Sequence, residues 1–438
     1  MLASSRKAVA SIPTVLKANY SAAAAANAVQ ISSAKNGIKV ASVQDSSATA
    51  GISVVVNGGV KGEDSSNAGV AHFLKNYGFK NTNNRTAFRI VREAEIAGAV
   101  LSSNLTRESI VYSAEFLKGD AAQFAEILGD VVSNQKFQDH EFVDVSKQTA
   151  LESAYAYGTP AIAAIEAAHS AAFRNGLGNS LFASKTARVT NAAVKEYAQK
   201  LFTAGNVALV GTNVEHEDLK SYADAFFNLG SGSVSLPASK YHGGELRLST
   251  ATPVASYVLA FQGVAAGTKE YAAAEVLRHV LGGEQLVKFT QGASLLSQTA
   301  AKLSGDVQIN AFNFGYSDAG LFGVQVNAAS DNISSALSAV AEQLKAVQSG
   351  VSDEDLKRGI AQAKFAAAAA FDSRLDRLDV LGRQGLLLFQ AFGQNVASFD
   401  NVQASDVAKV AESILKSNST AVAVGNLHAL PFADSLSL

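Results

Sequence analysis

The sequence predicts an α+β protein made of two homologous domains, each an antiparallel sheet with helices packed on one face, arising from an internal duplication. Three observations carry this. The strand-like string Asn206-Val-Ala-Leu-Val-Gly211 recurs almost unchanged as Thr420-Ala-Val-Ala-Val-Gly425. The helical spacing of Val194, Tyr197, Ala198 and Leu201 recurs as Val407, Val410, Ala411 and Ile414, at the same offset to within one position. Acidic first turns at Asp139-His-Glu-Phe142 and Asp353-Glu-Asp-Leu356 keep that offset too.

Further upstream the register holds. Phe124, Ile127, Leu128 and Val131 match Leu337, Val340, Ala341 and Leu344, and each helix follows a strand-like run, Ser109–Leu117 or Gly320–Val326. Each copy of roughly 200 residues therefore reads strand, helix, strands, then helices. The stretch Asn228-Leu-Gly-Ser-Gly-Ser-Val-Ser-Leu-Pro-Ala-Ser-Lys240 is Gly/Ser-rich and suits a flexible connection. The expected organisation is residues 1–35 as a presequence and flexible N-terminus, a first domain over 36–227, a linker over 228–240 and a second domain over 241–438. The helix from Ile333 to Val347 is expected to face the core rather than a membrane, because its other face is short of Lys and Arg.

The first forty-odd residues differ from the rest. They carry Arg6, Lys7, Lys17, Lys35 and Lys39, are rich in Ala and Ser, and hold no acid before Asp45. That is the composition of a mitochondrial transit peptide. Val9, Ile12, Val15 and Leu16 supply an apolar stripe that Pro13 interrupts, and cleavage is expected around Tyr20–Ser21 or in the Ala-rich run beyond.

Composition removes several function classes. With 438 residues, 48% hydrophobic, and 36 basic against 38 acidic side chains, the chain is a core-forming protein with no excess charge for nucleic-acid phosphates. Zero cysteines excludes disulfides, thiolate nucleophiles, zinc–sulfur sites, cysteine-ligated iron–sulfur clusters and thioether-linked haem. No run approaches the length of a transmembrane helix, and Ala366–Ala370 is far too short. Charged residues make up 17% of the chain, below the roughly 25% usual for soluble domains, which fits a surface largely given to other proteins. There is no phosphate-binding Gly-x-x-x-x-Gly-Lys-Ser/Thr loop, and Gly230-Ser-Gly232 lacks the third glycine of a dinucleotide site. His140, His169, His216, His242, His279 and His428 stand singly, with no second His at helical spacing.

One segment has the shape of a metal site. In Gly62-Glu-Asp-Ser-Ser-Asn-Ala-Gly-Val-Ala-His72-Phe-Leu-Lys75-Asn76-Tyr-Gly78, Glu63 and Asp64 favour a helix start, Ser65 or Ser66 can cap it, and Gly78 can end it. His72, Lys75 and Asn76 then share one face. Their spacing is that of the His-x-x-Glu-His zinc-peptidase motif, in which two imidazoles hold zinc and the Glu takes a proton from the bound water. Lys75 cannot accept that proton and repels a dication, and Asn76 offers zinc only an amide oxygen. The expectation is a lost site: no catalytic residue, no metal and no cofactor.

Glu152 lies well downstream of Asn76 on an expected helix, Thr149-Ala-Leu-Glu152. Together with Asn57-Gly-Gly59, Arg92-Glu93, Gly98 and Arg107-Glu108-Ser-Ile-Val-Tyr112, this half resembles the pitrilysin-like metallopeptidases, the family of mitochondrial processing peptidase. The resemblance implies that Glu152 stands near the place of the third zinc ligand, so that His72, Lys75, Asn76 and Glu152 form a degenerate motif. Tyr241-His-Gly-Gly-Glu-Leu-Arg247, Ala311–Gly323, Ala172–Leu181 and Gly425–Asp434 extend the likeness to the core subunits of respiratory complex III, over roughly residues 36 to 438.

That branch implies a structural subunit of ubiquinol–cytochrome c reductase, peripheral on the matrix face of the inner membrane. It would carry no redox centre. The implied partners are another core subunit, cytochrome b, cytochrome c1 and the iron–sulfur subunit, in a dimeric assembly. Two alternatives remain: a non-catalytic presequence-binding partner of a processing peptidase, and an active zinc metallopeptidase. The first is characterised by a dense glycine loop, whereas Val280-Leu-Gly-Gly-Glu-Gln-Leu-Val-Lys-Phe-Thr-Gln-Gly-Ala293 has only scattered glycines, suited to turns and helix ends.

Overall fold

The computed structural model describes residues 29–45, 47–283, 290, 292–383 and 398–436. The expected cleavage region at Tyr20–Ser21 and half of the stretch Val280–Ala293 with its scattered glycines, residues 284–289 and 291, lie outside the described residues. Strands come in two groups. The first comprises β1 (Gln30–Ser33), β2 (Lys39–Val43), β3 (Thr49–Asn57), β4 (Val100–Leu105), β5 (Ser109–Leu117) and β6 (Val207–Thr212). The second comprises β7 (Gly244–Ser249), β8 (Val254–Gly263), β9 (Gln308–Gly315), β10 (Gly320–Ala329) and β11 (Thr420–Gly425). Among the described residues the helices of the first half are α1 (Val70–Asn76), α2 (Ala87–Ala97), α3 (Ala121–Ser133), α4 (Asp139–Gly158), α5 (Pro160–Phe173), α6 (Asn191–Leu201) and α7 (His216–Phe226). Those of the second are α8 (Tyr271–Leu281), α9 (Leu295–Lys302), α10 (Ser330–Gln348), α11 (Asp353–Asp372), α12 (Arg374–Arg383) and α13 (Ala404–Leu415).

The sheets run β1-β2-β6-β3-β5-β4 and β7-β11-β8-β10-β9. The duplication is plain in them: β6 and β11 are the two recurring strings, and both are buried along their whole length. Pairing is antiparallel except at one equivalent place in each sheet, where β2 lies parallel to β6 and β7 parallel to β11. Sequence spacing cannot see that, because order within a sheet is set by long-range packing. Gln30–Ser33, placed by the sequence within the flexible N-terminus, is instead a strand paired with β2.

The helices form where the apolar spacing put them. Val194, Tyr197, Ala198 and Leu201 are the buried residues of α6, and Val407, Val410, Ala411 and Ile414 those of α13. The α10 stripe from Ile333 to Val347 is buried in the second core. Thr86 caps α2 by accepting from Arg89 N at 3.2 Å, and Gly98 ends it at φ 64°, a left-handed conformation that favours glycine. Between α4 and α5, Thr159 is extended, as the residue before a proline prefers, and Pro160 opens the next helix.

Each sheet carries its own half's helices on one face, as expected. The opposite faces are covered by exchange. α5 of the first half lies on the second sheet, its Ala164, Ala168 and Ala172 packed with Val258, Ala260, Val422 and Val424. α12 of the second half lies on the first sheet, with Leu378 and Leu381 against Val43, Val55, Ala208 and Val210. Two side chains clamp α12: Arg377 pairs with Asp45 at 2.7 Å and Arg374 with Glu115 at 3.3 Å.

The outer edge of the second sheet is also dressed. Arg247 on β7 donates to the carbonyls of Leu427, Leu430 and Pro431 at 2.8–2.9 Å, and its guanidinium lies 3.9 Å from the centre of the Phe432 ring. A chain segment is thereby held along an unpaired strand edge.

Candidate functional site

The helix carrying the motif is shorter than its sequence suggested. Gly69 is left-handed at φ 90°, so α1 starts only at Val70, and neither Ser65 nor Ser66 caps it. Ser66 instead turns back on Asp64. The orphan donors at the start of α1 go to Glu63, whose buried carboxylate accepts from Gly69 N at 2.9 Å and Ala71 N at 2.7 Å. Burial raises the Glu63 pKa to about 7, against the pull of those two N–H bonds.

α1 and α4 together bring the four predicted residues to one point. One oxygen of Glu152, Oε2, accepts from His72 Nε2–H at 2.6 Å, from Lys75 Nζ at 2.8 Å and from Asn76 Nδ2 at 3.3 Å. Asn76 also donates to Thr149 at 3.0 Å, and Gln148, one turn before Glu152, donates to its other oxygen at 2.9 Å. Burial would raise the Glu152 pKa, but the bonds from Lys75, Gln148 and His72 and the ammonium charge win and hold it at about 2. Burial, joined by the Lys75 charge, pushes the His72 pKa down although Glu152 opposes this, so the ring is neutral near pH 7.

The other ring nitrogen decides what His72 can do. Nδ1 accepts from Ala183 N at 3.1 Å, and Phe182 meets the ring edge-on with centroids 5.7 Å apart. A neutral imidazole has one lone pair, and here the Ala183 N–H has it. Nε2 therefore bears the proton and points it at Glu152; it has no lone pair left for a metal. A dication about 4 Å from an ammonium meets repulsion on the order of 8 kcal/mol at an effective dielectric constant near 20. Structural zinc binding is worth roughly 10–16 kcal/mol with a full ligand set. The donors present here do not fit zinc. Among the described residues no group of three or more His, Asp or Glu is arranged to hold a metal ion.

A cavity of about 370 Å³ opens beside this cluster, with Glu63, Tyr157, Asn179, Phe182 and Arg188 among its walls. Arg107 and Glu108 are spent on structure. Arg107 pairs with Glu166 at 2.6 Å, and Glu108 with Lys61 at 3.0 Å, all four side chains buried. His169 is buried between Ile165 O and Tyr316 Oη, far from any second histidine in the sequence. Sequence reasoning missed Glu63 as the acceptor for α1, and missed Phe182 and Ala183, which approach His72 only through the fold. Gln148 was legible from its four-residue spacing to Glu152.

Comparison with known proteins follows the same lines. A family profile described as insulinase (peptidase family M16) matches residues 39–185, and one described as peptidase M16 inactive domain matches residues 188–363. Mitochondrial cytochrome b-c1 complex subunit 2 of Cryptococcus neoformans is 37% identical over 89% of this chain and 90% of the relative. The subunit of the same name from Homo sapiens is 31% identical over 92% and 90%. A chain in the solved structure "Complex III2 from Candida albicans, Inz-5 bound" superposes with a TM-score of 0.81 at 17% identity, over 93% of this chain and 98% of that one.

Proposed function

This chain belongs to the family of mitochondrial cytochrome b-c1 complex subunit 2, within the M16 peptidase fold, and from that premise we propose that it is a structural core subunit of respiratory complex III that performs no peptidase chemistry. It supports assembly and stability of the ubiquinol–cytochrome c reductase and carries no redox centre of its own. Its place is the matrix side of the mitochondrial inner membrane, and no described helix is long and apolar enough to cross a membrane. Its partners are another core subunit, cytochrome b, cytochrome c1 and the iron–sulfur subunit, in a dimeric complex. Its working units are two domains, the first opening with β1 at Gln30 and running to 227, the second 241–438, joined by 228–240, behind a presequence that precedes β1.

One observation supports the non-peptidase reading above the rest. Lys75 Nζ sits 2.8 Å from Glu152 Oε2, so an ammonium neutralises the carboxylate that an M16 peptidase would give to a metal. The cluster His72, Lys75, Asn76 and Glu152 is then a polar staple. It ties α1 to α4 and, through Nδ1 of His72, to the backbone at Ala183.

Mitochondrial membranes solubilised in mild detergent and separated by native electrophoresis test the assignment. The expected result is co-migration of this chain with cytochromes b and c1. A soluble heterodimer with a peptidase would move it to the presequence-binding role instead. Metal analysis of the purified chain tests the rest: stoichiometric zinc with chelator-sensitive cleavage of a presequence peptide would falsify the inactive reading.

A further inference from the structure

The two halves meet through equivalent elements. α5 starts at Pro160 and α12 at Arg374, separated by the same offset as the recurring strands Val207–Thr212 and Thr420–Gly425 to within one position. α5 packs on β8, β11, β7 and β10, and α12 on β3, β6, β2 and β5, the matching strands of the other sheet. Ala208 and Val210 receive α12, while Val422 and Val424, their counterparts in the second copy, receive α5.

The hairpin tips meet likewise. Glu108, in the turn between β4 and β5, accepts from Ser317 N at 3.0 Å in the turn between β9 and β10. Lys61 joins them, donating to Glu108 at 3.0 Å and to Asp318 at 2.8 Å, with its own side chain 3% exposed. Each half gives the same parts that it receives, which is the rule for a two-fold, isologous interface.

We infer that the halves hold together as the subunits of a dimer do, each half being the other's obligate partner, with the linker contributing proximity and no needed contact. Two apolar sheet faces would be bare without the exchanged helices, and the buried Lys61 would lose Asp318, one of its two carboxylate partners, while Glu108 would lose Ser317. The contacts of the linker are equally local. Gly230 and Gly232 carbonyls are bonded to Ala204 and Gly205 of the first half, and Ser239 N donates to Asp318 of the second, leaving only a few residues between.

The test is made on the intact, folded chain. A protease recognition sequence is inserted between Pro237 and Ala238, both exposed, and cut after folding. The expected result is one species of full mass on gel filtration at micromolar concentration. It should unfold in a single denaturant transition whose midpoint rises with protein concentration, as that of the uncut chain does not. In the cut protein, Leu378→Ala should raise the concentration needed to keep the halves together by about tenfold or more. Separation of the halves into folded monomers, two independent transitions, or no effect of Leu378→Ala would each overturn the inference.

Discussion

Lys75 and Glu152 are joined at 2.8 Å across two helices, and the oxygen that Lys75 holds is the same one that His72 reaches. A single carboxylate oxygen thus gathers a positive charge and two neutral donors. Replacing Lys75 with Met leaves only the neutral donors around a carboxylate that is largely out of water. The expected cost is about 1–3 kcal/mol, less than for a fully buried pair because the Glu152 side chain is 26% exposed. Urea unfolding of the purified protein measures it, and a loss within about 0.5 kcal/mol would reduce the pair to an ordinary surface contact.

Acid should act on the same pair in a defined window. Glu152 is held at about 2, below its ordinary 4.5, by the donors that overcome its burial. Its stabilisation is present above about 4.5 and is lost as pH falls through about 2. The difference in unfolding midpoint between the native chain and Glu152→Gln should therefore shrink between those two values. An unchanged difference across that range would contradict the assigned charge state.

Glu63 should act with the opposite sign. Burial lifts its pKa to about 7, so the folded chain holds this proton more tightly than the unfolded one. The resulting stabilisation is complete below about 4.5 and disappears as pH rises through about 7. Glu63→Gln should flatten the stability profile between pH 4.5 and 7 and leave the acid limb of Glu152 in place. A profile identical to that of the native chain would show that Glu63 is already ionised throughout.

Writing the peptidase motif back is expected to fail. Lys75→Glu with Asn76→His restores two residue types, but the lone pair of His72 Nδ1 remains committed to Ala183 N–H and Nε2 remains protonated. A cleft must also bind substrate and orient water. Incubation of the double variant with zinc and a presequence peptide should give no cleavage above background. Measurable turnover would refute this.

Much of the fold was readable because it depends on local periodicity repeated twice. The stripes at Val194–Leu201 and Val407–Ile414 needed only helical spacing, and the strings ending at Gly211 and Gly425 only a run of small and β-branched residues. What escaped was non-local. Nothing in Lys39–Val43 says that β2 lies parallel to β6, and nothing in the alanines of α5 says that they cover the other half's sheet.

The site divides in the same way. The incompatibility of Lys75 and Asn76 with zinc is a matter of side-chain chemistry, visible in a single short stretch of sequence. The Ala183 N–H that fixes the tautomer of His72 is a backbone group 111 positions away, and backbone donors leave no mark in a sequence. The start of α1 was misjudged for a related reason: a helix can be capped by a carboxylate several residues upstream, beyond the usual capping position.

The clasp of Arg247 on the carbonyls at 427–431 sets an order of events. Whether the polypeptide is emerging from a ribosome or threading through a translocation pore, Arg247 arrives 180 residues before Leu427. Until β11 arrives at Thr420–Gly425, β7 has no strand partner, and until the clasp closes, its outer edge, with leucines at 246 and 248, stays open to pairing with another chain. A nascent chain halted at Gly425 should therefore scatter light where the finished one stays clear.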